Sequence, residues 1–249
     1  MKKILCIYAA LSFILFATGM TVAQTANAVE PLPRDLEITL ALSSLPPHLR
    51  DNATVYVLNP AQGFEVARNG GNGIHAFVAR TNPYAFRGAW EFTEFPEDLL
   101  VPIAFDSAGV DAHMRVFFDV AKMQADGIAS QEVKRTINER YETGFYKAPK
   151  RVGVSYMLSP VLRAFYNPDE SDAAGTFNYP HYMFYAPNVT DQDIGGVPPP
   201  TIHPSAFRTG IHGYINLNAG EKEVADINTE YKGMIAELCE IKKVWCLPK

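Results

Sequence analysis

The sequence predicts an α+β fold with a single antiparallel sheet of five to seven strands and helices packed on one face or at one end of it. Short runs rich in β-branched and aromatic residues alternate with turns that contain Asn, Gly and Pro. Apolar residues recur at helical spacing in the middle of the chain and at its C-terminal end. Because the strands are short and follow one another along the chain, a small β-barrel with added helices is the alternative.

The first 28 residues have the features of a secretory signal peptide. Two lysines precede an apolar run at 4–16, which is shorter than the roughly 20 residues that span a bilayer. Small residues at Ala26 and Ala28 predict cleavage after Ala28, and 21–23 offers a second site. No later stretch is apolar enough to span, so we expect an exported protein, periplasmic or secreted, with no stable membrane span after cleavage.

The remaining chain is predicted to form a single α+β domain at 29–218, followed by a C-terminal amphipathic helix and tail at 219–249. This length is ample for one hydrophobic core. Removal of residues 1–28 takes away two of the 22 basic residues and none of the 27 acidic ones, which leaves a net charge of −7. The sequence contains no basic patch of the kind that binds a phosphate backbone, so nucleic acid is not an expected partner.

The N-terminal strands are predicted to form an antiparallel meander. They lie at 53–58, 63–68 and 73–81, and the turns at 59–62 and 69–72 are rich in Asn and Gly. The glycine cluster at 70–73 is predicted to be a hairpin turn, because a phosphate loop would lead into a helix rather than a strand. Further strands are predicted at 101–106, 152–158, 181–185 and 213–217, with a polar loop at 167–179 and an extended linker at 195–204.

Helices are predicted at 36–45, between Met114 and Gly127, at 130–144, and from about 221 to 243. The last is long and amphipathic, and its apolar face consists of Val224, Ile227, Tyr231, Ile235, Leu238 and Ile241. We expect this face to dock on the domain or on a second copy of it. A homo-oligomer through the C-terminal helix is therefore possible.

Cys239 and Cys246 are the only cysteines after the signal peptide. An exported protein meets an oxidising environment, so a disulfide is predicted. Seven residues of continuous helix would separate the two Cα atoms by about 10.5 Å, whereas bridged Cα atoms lie within about 7 Å. The bond therefore requires the last helix to end near Lys243 and the tail to turn back. We expect a peripheral crosslink.

The residues that could carry catalysis are scattered along the chain. Asp106 ends one predicted strand, His181 begins another, and His212 immediately precedes the last. If the strands of Asp106 and His181 run in opposite senses, the two side chains meet at one edge of the sheet, and His212 joins them if its strand runs parallel to that of His181. Such a set suits a hydrolase, with or without the assistance of a metal ion. Alternatively, each polar group satisfies its own turn.

A second set of residues points to ligand binding. Tyr156 and Tyr185 lie on predicted strands, and Asn72 and Arg80 lie near the ends of the third strand. Outward-facing aromatic residues beside a polar loop can line a pocket for a small molecule. We therefore expect an exported protein that binds a small-molecule ligand, with the hydrolase as the alternative. The hydrolase requires Asp106, His181 and His212 to lie within about 5 Å of a common point. The sequence specifies no metal or other cofactor.

Residues 45–217 contain several short motifs: Asn72-Gly73, Val78-Ala79-Arg80, Phe105-Asp106 with Gly109, GVSYMLS at 153–159, PHYMFYAP at 180–187 and DIG at 193–195. In combination they resemble a family of exported bacterial proteins that has no known activity. The resemblance therefore implies no reaction. Ala76 and Ala104 stand where members of that family carry cysteines, and losing both suits a lost cross-strand disulfide better than lost catalysis. The long C-terminal helix is a second departure.

Overall fold

The computed structural model describes residues 29–81, 95, 98–166, 173–195, 204–208 and 210–248. The predicted signal peptide at 1–28 lies outside these residues. None of the helices in the described ranges is both long enough and apolar enough to cross a bilayer.

The described residues contain a large open sheet and a small one. The strands are β1 (Thr54–Asn59), β2 (Gly63–Arg68), β3 (His75–Ala79), β4 (Val101–Phe105), β5 (Val154–Met157), β6 (Leu162–Phe165), β7 (Ala174–Phe177), β8 (His181–Tyr185), β9 (Ser205–Phe207) and β10 (Tyr214–Asn218). Eight of them form one sheet in the order β2-β1-β3-β4-β5-β8-β10-β9, and β6 pairs with β7 in a second sheet. The large sheet has more strands than predicted, and its free edges at β2 and β9 show that it is not a closed barrel.

One strand pair is parallel, which corrects the predicted antiparallel meander. β1 and β2 form the expected hairpin, but β3 pairs with β1 and runs parallel to it. After β2 the chain crosses the start of β1, where the amides of Gly71 and Asn72 donate to the carbonyl of Asn52. A Cβ on Gly70 would lie 2.2 Å from that carbonyl oxygen, so glycine permits the close crossing. The cluster at 70–73 is therefore a crossing loop and not a hairpin turn.

The described helices are α1 (Arg34–Ser43), α2 (Pro47–Arg50), α3 (Ser107–Gly109), α4 (Arg115–Ala125), α5 (Ser130–Glu142), α6 (Asp191–Ile194), α7 (Glu221–Glu230) and α8 (Lys232–Ile241). Helices α1, α4, α5 and α7 start within two residues of their predicted positions, whereas the short helices α2, α3 and α6 were not predicted. A π-helical turn (Val110–Met114) joins α3 to α4, and a 3-10 turn (Lys243–Trp245) follows α8. The single long C-terminal helix of the prediction is split at Tyr231, where the backbone leaves the helical conformation.

Helices pack on both faces of the large sheet rather than on one face or end. On one side, which we call the α4 face, α4 and α5 form a core with β3 and β4 that includes Phe77 and Phe117. On the other, which we call the α1 face, helices α1, α7 and α8 pack on the sheet through residues such as Leu40 and Leu238. Because both of its faces are covered, β4 is buried at every position.

The register between β3 and β4 places Ala76 directly opposite Ala104, and both are fully buried. Directly opposite residues of an antiparallel pair have Cα atoms about 4.5–5.5 Å apart, within the range that a disulfide bridges. The two alanines therefore occupy positions where a cross-strand cysteine pair would be feasible.

The C-terminal turn completes the α1 face. Cys239 and Cys246 form a disulfide with a Cα–Cα distance of 4.4 Å. The pairing is as predicted, because α8 ends at Ile241 and the chain turns back. The closed loop carries Trp245, which is 3% exposed and donates its indole N–H to the carbonyl of Asp98 at 2.7 Å. The crosslink is therefore more than peripheral, since it holds a core aromatic residue in place.

Two buried charged residues connect α1 with the end of β3. Glu37 is 2% exposed, and its carboxylate accepts from the amide of Leu58 at 2.8 Å. Burial raises the pKa of Glu37 to about 7, although that hydrogen bond and the charge of Arg80 oppose the rise. Arg80 is also 2% exposed and donates to the carbonyls of Leu99 and Glu30 at 2.8 and 3.0 Å. Its guanidinium therefore joins two segments of backbone, the one that precedes α1 and the one that precedes β4.

We predict that Glu37→Gln becomes more stable relative to the wild type as the pH rises. The pKa of Glu37 is raised from 4.5 to about 7 in the fold. The stability that its protonated form contributes is complete below the unfolded pKa and is lost as the pH rises through the folded one. Glutamine keeps an oxygen for the Leu58 amide and carries no charge. Urea unfolding should show a relative gain of about 2 kcal/mol between pH 5 and pH 8.

Glu65→Gln is the matched control for this pH dependence. Hydrogen bonds from Asn59 and Arg34 lower the pKa of Glu65, so its carboxylate is ionised in both states between pH 5 and pH 8. The stability difference between this variant and the wild type should not change over that range. If Glu37→Gln instead loses stability toward pH 8, the ionised carboxylate is stabilised by Arg80 and the prediction is wrong.

Candidate functional site

The predicted site residues do not all lie at one edge of the sheet, where the edge is the row of strand ends and not an outer strand. β5 lies between β4 and β8 and is antiparallel to both, so β4 and β8 run parallel. The end of β4 with Asp106 therefore lies at the same edge as the end of β8 with Tyr185. β10 starts at this edge too, which brings His212 there. His181 begins β8 and lies at the opposite edge. The predicted convergence of Asp106, His181 and His212 is therefore wrong.

The carboxylate of Asp106 is engaged by the backbone. Its Oδ1 accepts from the amides of Ala108 and Gly109 at 3.0 Å each and so caps α3. Its Oδ2 accepts from the amide of Val154 at 3.3 Å and lies 3.7 Å from the guanidinium of Arg151. Asp106 thus satisfies its own turn and fastens that turn to β5.

Two glycines allow this turn to pack closely. A Cβ on Gly109 would lie 1.9 Å from the hydroxyl of Tyr185, and one on Gly153 would lie 2.4 Å from Oδ2 of Asp106. The hydroxyl of Ser155 donates to that of Tyr185 at 3.2 Å, and both residues are buried. Tyr185, a predicted ligand-binding residue, is therefore a core side chain.

A buried cluster of histidine and tyrosine rings lies on the α4 face of this edge. His113, in the π-helical turn, packs against Tyr185 and Tyr214 with ring centroids 4.6 and 4.5 Å apart. The ring of His212 lies 5.7 Å from that of His113, and its Nε2 is 3.2 Å from the carbonyl oxygen of Tyr146. Burial lowers the pKa of His113 to about 3, and His212 adds to this effect. The imidazole of His113 is therefore neutral at physiological pH.

Burial limits what the ring cluster can do chemically. His113 and His212 are 3% and 4% exposed, and a neutral His113 has no acidic proton to give at physiological pH. Its Nε2 has no hydrogen-bond partner among the described residues. The described part of the chain also contains no group of three or more His, Cys, Asp or Glu side chains that could hold a metal ion. We therefore assign the cluster to the packing of the α4 face.

Three further predicted residues have structural partners. His181 is buried, and its Nδ1 lies 2.7 Å from the carbonyl oxygen of Tyr179. Burial lowers the pKa of His181 to about 4, although this hydrogen bond opposes the shift. Asn72 donates its side-chain amide to the carbonyl of Leu49 at 2.8 Å and so holds the crossing loop. Arg80 binds backbone carbonyls at the opposite edge of the sheet.

Tyr156, the remaining predicted residue, lies on a part of the α1 face that is only partly covered. It pairs with Tyr182 across β5 and β8, and Val154 pairs with Phe184 in the next row. β10 extends both rows, because Leu217 lies opposite Tyr182 and Ile215 lies opposite Phe184. Directly opposite residues, and those two positions along, point to the same side of a sheet. We call this surface the open face; it consists of Val154, Tyr156, Tyr182, Phe184, Ile215 and Leu217.

The open face is apolar and accessible. Phe184 and Leu217 are each 38% exposed, and Val154 and Ile215 are half-buried. Tyr156 and Tyr182 pack against the core of the α1 face, but they lie at its margin and are only partly buried. On their other side, Met157, Met183, Tyr185 and Tyr214 of the same strands are buried in the α4-face core. The helical cover of the sheet thus ends on one face before it reaches the outer strands.

Polar groups flank the two tyrosines of the open face. The hydroxyl of Tyr182 donates to the carboxylate of Glu223 on α7. Burial, followed by the charge of Asp106, raises the pKa of Tyr156. Burial, followed by the hydrogen bond with Glu223, raises the pKa of Tyr182. Both phenols are therefore protonated at neutral pH. The surface can hold an apolar molecule by contact and orient it by hydrogen bonds.

Phe184, Ile215 and Glu223 were not among the predicted site residues. Alternation in HYMFY at 181–185 predicts that Tyr182 and Phe184 share one side of the sheet. It does not predict which side the helices leave uncovered. Glu223 joins the site only through the place at which α7 docks, and the amphipathic pattern of this helix predicts that it docks but not where.

We predict that Asp106→Ala destabilises the fold by roughly 1–3 kcal/mol, because three backbone amides lose their acceptor. Asp106→Asn should cost less, since its remaining oxygen can still cap α3. Asp111→Ala is the control, because Asp111 is exposed in the following turn and its loss should change stability by less than about 0.5 kcal/mol. Urea unfolding measures all three variants. Unchanged stability of Asp106→Ala would contradict the structural role of this carboxylate.

The relationship of this fold to known proteins is not established by comparison. The chain matches no protein-family model, no curated protein and no solved structure. The function must therefore be argued from the geometry of the open face.

Proposed function

We propose that this protein binds a small amphipathic molecule on the open face. The observation that supports the proposal is the cluster of exposed apolar side chains on the sheet, among which Phe184 and Leu217 are each 38% exposed. Single exposed apolar residues are ordinary, whereas contiguous apolar surface marks binding sites. Here the exposed Phe184 and Leu217 lie on adjacent strands, beside half-buried residues that extend the apolar surface to β5.

The shape of the site suits a small molecule. The open face is bounded on one side by α7, which contributes Glu223, and near the sheet edge by Asp106 and Arg151. A ligand would lie on a rigid sheet, which limits the entropy lost on binding. The phenol groups of Tyr156 and Tyr182 supply the few polar contacts that orient a ligand in a mostly apolar site.

The alternative of a hydrolase that uses Asp106, His181 and His212 is not favoured. The Asp106 carboxylate accepts three backbone hydrogen bonds. His212 is buried on the opposite face, and His181 lies at the other edge of the sheet. Each of the three residues thus has a local structural role, and their arrangement supplies no shared reacting centre.

The proposal places the binding function in an exported compartment. The disulfide between Cys239 and Cys246 suits an oxidising environment, and the predicted signal peptide would direct the chain there. We do not extend the proposal to a homo-oligomer through the C-terminal helices. Their apolar residues Ile227, Met234 and Leu238 are buried against the chain's own α1 face.

We predict that Phe184→Thr weakens binding of the neutral amphipathic dye Nile red by about tenfold or more. Losing a large aromatic contact costs about 1.5 kcal/mol of binding free energy, which corresponds to about a tenfold rise in Kd. Threonine retains the preference for a strand. Fluorescence titration measures the Kd, and thermal unfolding checks that the variant is folded.

Phe207→Thr is the matched control for this titration. Phe207 is 41% exposed on the edge strand β9, but it lies opposite Tyr214 and so points to the α4 face. Its loss should leave the dye affinity unchanged. Equal effects of the two substitutions would contradict the proposal. So would a dimer in sedimentation experiments that Phe184→Thr dissociates, because a second copy would then occupy the open face.

A further inference from the structure

We infer that the ligand of the open face is an organic ammonium ion with an apolar substituent. This inference rests on the proposed function and adds the charge of the ligand and its orientation. It is carried by a corner of two tyrosine rings, by the carboxylates beside them, and by the apolar row that begins two residues along the same strands.

The two tyrosines form adjoining walls. The rings of Tyr156 and Tyr182 lie 6.0 Å apart between centroids at an interplanar angle of 71°. A cation near both rings would meet the electron-rich face of at least one of them, because the rings are almost perpendicular. Aromatic faces attract ammonium groups within about 6 Å, and quaternary ammonium ligands are commonly bound in this way. Both residues are half-buried, so the rings are partly desolvated and remain accessible.

Negative charge surrounds this aromatic corner. Glu223 accepts the hydroxyl proton of Tyr182 in a hydrogen bond, which increases the electron density of that ring. Asp106 is close enough to Tyr156 for its charge to help raise the phenol pKa, after burial. An anionic ligand would be repelled by both carboxylates, whereas a cation complements them.

A cation, Arg151, lies beside Asp106 toward one end of this surface and sets the orientation of the ligand. The guanidinium of Arg151 lies 3.7 Å from Asp106 and donates to the hydroxyl of Ser107 at 2.7 Å. It partly neutralises the carboxylate of Asp106, while Glu223 has no such ion pair among the described residues. The ammonium group should therefore lie toward Glu223 and Tyr182.

The apolar part of the ligand then lies along the strands. Val154, Phe184 and Ile215 form the next row on the same face, about 7 Å from the tyrosine row at the strand rise of 3.2–3.4 Å per residue. A ligand with its ammonium group at the tyrosines can thus place an alkyl chain on this row. The combination favours an alkylammonium or quaternary ammonium compound over a compact metal cation.

Three probes with the same six-carbon chain test the charge preference: hexyltrimethylammonium, hexan-1-ol and hexanoate. Isothermal titration calorimetry on the full chain at low and high salt measures each affinity. We expect the cation to bind at least about tenfold more tightly than the alcohol, and hexanoate to bind most weakly. Added salt should reduce the advantage of the cation, because the carboxylates are partly exposed.

Glu223→Gln should reduce the affinity for hexyltrimethylammonium several-fold and change that for hexan-1-ol by a smaller factor. Glu221→Gln is the matched control, because Glu221 is an exposed acid in the same first turn of α7. Equal effects of the two variants on the cation would overturn the inference. So would alcohol binding as tight as that of the cation, or tighter binding of hexanoate, although the proposed function would then stand. If none of the three probes binds and Nile red does not bind either, the proposed function itself is overturned.

Discussion

The structure depends on the need to cover both faces of an eight-stranded sheet. The central strand β4 is buried at all of its residues, so both faces of the sheet must be covered at its centre. The middle of the chain supplies α4 and α5 for one face. The other is covered by α1, which precedes β1, and by α7 and α8, which follow β10. The α1 face is therefore complete only when both ends of the described chain have docked.

Specific contacts fix the two chain ends on the α1 face. The Cys239–Cys246 loop holds Trp245 in the core, where its indole N–H binds the carbonyl of Asp98. Arg80 lies over the Trp245 ring, 5.8 Å from its centroid, and also binds the carbonyl of Glu30 near the N-terminal end of the described residues. The two ends of the described part of the chain are thus joined through one buried guanidinium.

This cover is narrower than the sheet, and the open face is the result. On β8 and β10, the α4 side carries Tyr185 and Tyr214, which are buried. The α1 side of the same strands carries Phe184 and Leu217, which are exposed. The exposed side of these strands is at least as apolar in sequence as the buried side, so the reach of the helices, and not composition, decides which side is free to bind a ligand.

Much of the secondary structure could be predicted from the sequence, because it depends on local periodicity and turn residues. The β1–β2 hairpin, the helix at 130–142 and the cysteine pair are examples. The parallel pairing of β3 could not be predicted, because it depends on how closely Gly70 passes Asn52. Strands β6, β7 and β9 are only three or four residues long and were not predicted, whereas the equally short β5 lies in a longer apolar run at 152–158 that indicated it.

The candidate site was harder to predict than the fold. Asp106 was correctly predicted to lie at a strand end, but its role depends on amides from α3 and β5. The position of His181 depends on the direction of β8 relative to β4. That direction is set by β5, which lies between the two strands and is antiparallel to both. Of the predicted ligand-binding residues, only Tyr156 lies on the open face. Tyr156 is half-buried whereas Tyr185 is buried. This difference depends on where distant helices dock on the sheet.

The most direct test of this account is methyl NMR of the full chain during titration with hexyltrimethylammonium. Binding at the open face should change the chemical shifts of the methyl groups of Val154, Ile215 and Leu217. The methyl groups of Val66 on edge strand β2, an exposed apolar residue away from the open face, should not respond. Shifts at Val66 of the same size, or shifts confined to residues outside the open face, would contradict it.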